Sequence, residues 1–174
     1  MEMIELLRAR RSVRKFAAEA VEPEKVELLK EAVLRSPTSR NFKPCEFIFV
    51  NDRELLRPLA LSKPHGAAFL EHASLAIVVC ADGDKSDVWT EDCSIASILV
   101  QMVAQSMGLG SCWIQIRNRM FDDKTTSEEH VRNLLKMPGH ISVESIIALG
   151  YPAEEKEPIP HDALDYTKIR INSF

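Results

Sequence analysis

Arg10, Arg11, Arg14 and Lys15 put four cations within six residues, with Ser12 among them. Guanidinium forks match phosphate oxygens two at a time, and a serine hydroxyl adds a further donor. The stretch therefore has the chemistry to hold a phosphate-bearing cofactor. Its plain alternative is a solvated basic face. Ile4, Leu6, Leu7 and Val13 predict a short amphipathic helix that ends at these cations and holds them in place. A second polar stretch lies between Pro37 and Pro44 and contains Thr38, Ser39, Arg40, Asn41 and Lys43. An Asn side chain both donates and accepts hydrogen bonds, which suits a ligand edge of mixed polarity.

Composition narrows the classes. A chain of 174 residues, 45% hydrophobic and 28% charged, is long enough for one domain with a full core. A net charge of -4 argues against a dedicated nucleic-acid binder. Nothing approaches the roughly 18 uninterrupted apolar residues of a membrane span. The start, Met1-Glu2-Met3-Ile4-Glu5, lacks the basic-then-apolar layout of a leader. Cys45, Cys80, Cys93 and Cys112 form no CxxC pair. The expectation is a reduced, cytoplasmic protein without a zinc site or a disulfide framework. His72, His130 and His140 show no partners at metal-ligand spacing, so no metal is expected.

Periodicity predicts the elements that must carry these groups. Glu22-Pro23-Glu24 opens a helix with Val26, Leu28, Leu29, Ala32 and Val33 as its apolar stripe, stopped at Pro37. Strands are expected over residues 46–50, 75–81, 111–116 and 145–150, and a short helix over 53–61. Residues 91–107 form the strongest helix, apolar almost all round, as in a core or a subunit interface. Gly108-Leu109-Gly110 would end it with a left-handed cap. Residues 127–136 read as a helix opened by Ser127. Asp92 is expected to make a capping or interface hydrogen bond, and Glu154, Glu155 and Glu157 to be a solvated acidic run. The fold class is α+β, a mainly antiparallel sheet wrapped by helices, in one domain over 1–174 with an extended tail over 153–174.

In order and spacing, four stretches resemble the FMN-dependent nitroreductases in their short form. They are Arg10-Arg11-Ser12-Val13-Arg14, Ser36-Pro37-Thr38-Ser39-Arg40-Asn41-Phe42-Lys43-Pro44-Cys45, the run from Asp92 to Gly108-Leu109-Gly110-Ser111-Cys112-Trp113, and Ala148-Leu149-Gly150-Tyr151-Pro152. The resemblance implies a homodimer with two FMN molecules at its interface and the tail draped on the partner. It implies that Arg10, Arg11, Ser12 and Arg14 meet the phosphate and the flavin's pyrimidine edge. Pro37, Thr38, Ser39 and Asn41 match the loop supplied by the other subunit. Trp113, Ile114 and Gln115 match the strand end whose backbone runs along the ring. Lys156 matches a basic residue that reaches the phosphate, with Lys168 and Arg170 as alternatives.

The activity implied is hydride transfer from NAD(P)H by way of FMN to a nitroaromatic, a quinone or a similar acceptor. Placement carries such a reaction, and no catalytic acid or base is named. Lys43, Cys45, Ile116 and His161 stand where relatives often carry Gln, Trp, Gly and a basic residue, which bears on the acceptor more than on the cofactor. Two other functions fit parts of the chain. One is a non-catalytic FMN-binding or storage protein with the same binding residues. The other is a CoA-dependent N-acetyltransferase, suggested by Gln105-Ser106-Met107-Gly108-Leu109-Gly110, although a pyrophosphate loop should follow a strand and open a helix.

Overall fold

Leu75 to Ala81 is a run without a polar residue, and the reason is its place in the middle of the molecule. It lies in a four-stranded sheet ordered β1 (Cys45–Val50), β2 (Leu75–Asp82), β4 (Ile141–Gly150), β3 (Gly110–Gln115), antiparallel throughout. Both faces of β2 are covered, so neither set of alternating side chains can be polar. The computed structural model describes residues 2–174; Met1, where the N-terminal stretch considered above begins, lies outside them. The helices described are α1 (Met3–Ala9), α2 (Pro23–Leu34), α3 (Arg53–Ala60), α4 (Trp89–Ser106) and α5 (Ser127–Leu135).

The sheet separates two cores. Val78, Cys80, Ile114, Ile146 and Ala148 pack against Leu56 and Leu59 of α3 and Val131 of α5. Ile77, Val79, Ile147 and Leu149 face Leu29 and Val33 of α2 and Val100 and Ala104 of α4. The result is a helix–sheet–helix sandwich, the α+β class expected. No helix among the described residues is long and apolar enough to cross a membrane.

Several local readings change. Val13 lies beyond the end of α1, in an extended segment that runs along the sheet. The cap of α5 is Thr126 rather than Ser127: Thr126 Oγ1 accepts from the Glu129 amide at 3.1 Å, and the Thr126 amide donates in return to the Glu129 carboxylate. Ser127, one residue on, is buried. β4 begins at Ile141, four residues before the 145 expected, because Glu144 interrupts the apolar pattern. Opposite β2 the register passes from Ser145 to Val143, and Glu144 is the extra residue of a bulge. Gly108 caps α4 at φ 77, and Leu109 N donates to Ala104 O at 2.9 Å. Gln105 thus closes a helix that leads into a strand, the reverse of a pyrophosphate loop.

Gly110 has a different task. Gly110 and Gly150 are paired across β3 and β4, and the segment after α1 lies over them. A Cβ at Gly110 would stand 2.9 Å from Val13 Cβ, and one at Gly150 3.1 Å from Phe16 Cδ1. Val13 N donates to Ser111 O and Ala17 N to Tyr151 O, each at 2.9 Å. These contacts fix the backbone that carries the basic stretch. The tail beyond residue 153 is almost wholly exposed and shows Ile159, Leu164, Tyr166, Ile169 and Ile171 to solvent.

Candidate active site

The cations gather around Cys112. That thiol is 2% exposed, and burial pushes its pKa up. Arg14, the Ser12 hydroxyl, Lys156 and Lys63 all act on it in the opposite direction. Three stretches far apart in sequence, residues 12–14, Lys63 and Lys156, therefore converge beside β3. Lys63 is itself lowered, first by its burial and then by the neighbouring charge of Arg119. Like charges crowded this closely disfavour their own ionised forms and make a ready place for an anion. Neither Lys63 nor Arg119 was singled out in the sequence. Each sits alone in a loop, and only the fold brings it to the basic stretch.

Glu154 is not solvated as expected. Its Oε1 accepts from the backbone amides of Arg14 at 2.7 Å and Lys15 at 3.2 Å, and it lies 3.4 Å from Lys156 Nζ. The Arg14 amide, first among these partners, holds its carboxyl below the usual carboxylate range. Glu154 thus clasps the N-terminal arm to the start of the tail. Arg11 donates to the Glu157 carbonyl, and Arg10 lines a cleft of about 480 Å³ between Ile4 and Leu7 of α1 and Ile159, Leu164 and Tyr166 of the tail. Lys168, 4.0 Å from Asp165, and Arg170, which donates to Thr167 O, stay out on the tail.

The backbone of β3 completes this end. Ser111 gives its carbonyl outward to Val13, while Ile116 N donates inward to Glu144 O at 3.2 Å. By the two-residue period of a strand, Trp113 and Gln115 turn their amide and carbonyl groups to the same open edge as Ser111. Their side chains brace one another. Trp113 Nε1 donates to Gln115 Oε1 at 2.9 Å, and Gln115 Nε2 donates to Arg117 O at 3.1 Å and Glu144 Oε1 at 3.4 Å. Burial pushes the Glu144 carboxyl up, and Gln115 and then Arg117 oppose that shift. Ile114 buries its side chain at 0% exposure, and by the same period its amide and carbonyl turn inward to β4 rather than to the open edge.

The loop of residues 37–44 is built differently and lies elsewhere. Arg40, Asn41 and Lys43 have φ of 50, 57 and 50. This left-handed region disfavours side chains with a Cβ, least so for Asn. Polar contacts hold the shape: Ser39 N donates to Asp92 Oδ1 at 2.9 Å, Lys43 N to Thr38 Oγ1 at 3.0 Å, and Arg40 pairs with Asp87 at 2.8 Å. Asp92 therefore ties this loop to α4 and does not cap its own helix; its second carboxylate oxygen is buried without a hydrogen-bond partner among the described residues. The loop leads into Cys45, which is level with Ala81 and Ser142, whereas the basic arm sits at Gly150. Ser142 and Gly150 are eight positions apart on β4, about 27 Å at a strand's rise. One chain holds the two halves of the expected site at opposite ends of its sheet.

The profile described as the Nitroreductase family matches residues 7–72 and 61–151. A curated relative from Methanothermobacter thermautotrophicus, named a putative NADH dehydrogenase/NAD(P)H nitroreductase, is 33% identical over 100% of this chain and 88% of its own length. The solved structure of an FMN-dependent nitroreductase from Clostridium difficile superposes with a TM-score of 0.97 at 45% identity, covering 98% of this chain and 99% of that one. The NADPH:FMN oxidoreductase of Vibrio harveyi, complexed with NAD+, superposes at 0.83 with 25% identity over 99% of this chain and 77% of that one.

Proposed function

The chain belongs to the nitroreductase family, and from that premise we infer that it is an FMN-dependent NAD(P)H oxidoreductase that reduces a nitroaromatic, quinone or similar acceptor. The observation that carries this reading is the open edge of β3 beside a pocket of cations. The donor set fits FMN. Arg14, Lys63, Arg119 and Lys156 supply the charge, and Ser12 a hydroxyl donor, that a phosphate or an electron-rich pyrimidine edge needs. The outward amides and carbonyls of Trp113 and Gln115 supply fixed hydrogen-bond partners for a flat ring. FMN, when bound there, would supply the two-electron redox chemistry between NAD(P)H and the acceptor.

The chain's own part is placement and electrostatics. Arg14 and Lys156 favour the anionic form of whatever lies among them, and Lys156 rather than Lys168 or Arg170 fills this role because it shares the Cys112 neighbourhood. Arg10 and Arg11 hold the arm toward the tail and reach the phosphate from there. Pro37, Thr38, Ser39 and Asn41 act on the partner's cofactor, because they lie too far along the sheet from the arm of their own chain. The protein is on this reading a homodimer of one-domain subunits, each tail lying over its partner. In support, Met3, Leu7, Ile95 and Ile98 are exposed at 58, 51, 40 and 41% alongside the apolar tail. Four free thiols accord with a reduced cytoplasm.

An absorbance spectrum of the purified protein, followed by anaerobic addition of NADH and then NADPH, tests the reading. The expected result is near-stoichiometric flavin bands that bleach with one or both donors. A yellow protein that neither donor bleaches is a flavin-storage protein. A colourless protein that takes up no added FMN overturns the cofactor assignment.

A further inference from the structure

Two of the four thiols touch. Cys93 Sγ lies 3.6 Å from Cys45 Sγ, across the gap between α4 and the first residue of β1. The other two are engaged elsewhere: Cys80 Sγ donates to Glu46 O at 3.2 Å, and Cys112 Sγ to Trp113 O at 3.6 Å. Cys93 is fully buried, whereas Cys45 is half-buried and opens on a cleft of about 70 Å³ shared with Ser36, Thr38 and Lys43. A water needs only about 10–15 Å³ of such space, so the cleft admits an oxidant the size of hydrogen peroxide.

We propose that Cys45 and Cys93 form a peroxide-sensitive dithiol, oxidised reversibly to a disulfide that ties the loop of residues 37–44 to α4. The loop is already held at this point by the Asp92–Ser39 contact, one residue from Cys93. The pair divides the labour of the reaction. A hydrogen bond from Cys93 lowers the Cys45 thiol, while the same bond and burial raise Cys93, so Cys45 is the attacking sulfur. The Cys93 thiol also has the Cys80 carbonyl within 3.5 Å as an acceptor, which keeps it aimed at this spot.

The Cys45 thiolate attacks one peroxide oxygen, the O–O bond breaks, and hydroxide leaves. Cys45 becomes a sulfenic acid. Cys93 sulfur then attacks Cys45 sulfur; the S–S bond forms, the S–O bond breaks, and the departing hydroxyl leaves as water with a proton. The sum is two thiols and one hydrogen peroxide giving one disulfide and two waters, with two electrons passing from sulfur to oxygen. Closing the bond requires an approach of about 1.5 Å from the present separation. Reduction follows by exchange with a dithiol.

The test treats the flavoprotein as isolated, without NAD(P)H, with equimolar hydrogen peroxide, then blocks remaining thiols with an alkylating agent under denaturing conditions. Expected is a chain about 2 Da lighter before alkylation, with two thiols left to block and a Cys45–Cys93 linked peptide after digestion. Dithiothreitol should restore all four thiols. Cys93→Ser should stop at oxidised Cys45, and Cys45→Ser should leave Cys93 as a thiol. Four unchanged thiols, a link between any other pair, or wild-type Cys45 carried to a sulfinic acid about 32 Da heavier without a link each overturn the proposal.

Discussion

The arm of residues 10–17 and the loop of residues 37–44 are both proposed to serve FMN, the arm its own subunit's and the loop its partner's, yet they are held by opposite means. The arm is fixed by packing: Val13 and Phe16 are buried on Gly110 and Gly150, with backbone bonds on either side. The loop is exposed, left-handed at three residues that are not glycine, and held by side-chain acceptors at Asp92 and Thr38. Close-packed contacts give way only by displacing neighbours, whereas a polar clasp can open without disturbing a core. On the proposed dimer, the arm would serve permanent charge placement and the loop would adjust as partner and cofactor come together.

The largest effect should come from filling the space the arm occupies. Gly110→Ala sets a methyl 2.9 Å from Val13 Cβ and Cγ1, atoms next to the arm's own backbone. Overpacking of this kind costs about 1–3 kcal/mol. Thermal melting should show that loss, and the purified variant should carry little FMN, because Arg14 moves with Val13. A variant that melts like the parent and stays fully yellow would show that the arm adapts and that the contrast with the loop is wrong.

Next in size is removal of the charges with the packing left alone. Arg10→Ala together with Arg14→Ala should weaken FMN binding by roughly 100-fold or more, given about 1.5–3 kcal/mol for each hydrogen bond from a charged donor. Melting of the flavin-free protein should barely change, since the Arg14 side chain is exposed. A fully loaded double variant breaks the phosphate assignment. Asp92→Ala is the matching change at the loop. It loses the acceptor for Ser39 N but also removes a buried carboxylate oxygen that has no hydrogen-bond partner among the described residues. These oppose one another, so stability should shift by about 1 kcal/mol or less while turnover with NAD(P)H falls. A large loss of stability would make the loop as structural as the arm.

The two regions also differ in how far they could be read from the chain alone. The arm's cations and the prolines bracketing the loop were legible, as were the strands, whose apolar runs reflect burial on both faces. The work of Gly110 was not legible. Its φ is ordinary, and only the return of Val13 across the sheet end shows why a side chain is excluded. Lys63 and Arg119 were missed because convergence of loops leaves no trace in spacing. The first four residues of β4 were missed because a buried Glu144 at a bulge reads locally as a surface residue. Glu154 misled for the same kind of reason: an acidic run looks solvated until its partners, 139 and 140 positions away, are known.

Glu154 supplies the smallest and most specific test. Its carboxyl titrates below the ordinary value of 4.5, first because it accepts from the Arg14 amide. A group whose folded pKa is depressed contributes stability that is fully present above the unfolded value and is lost as pH falls through the folded one. The clasp between arm and tail should therefore hold at neutral pH and loosen progressively as pH drops below 4.5. FMN release should rise over that interval in the wild type. Glu154→Gln keeps an acceptor for the two amides but no charge for Lys156, so it should release slightly more FMN than wild type at neutral pH and flatten the acid dependence. Because the Glu154–Lys156 pair lies near the surface, the neutral-pH difference should shrink in high salt. A variant with the wild-type acid profile would show that the arm needs no clasp from the tail, and that glycine packing alone holds it.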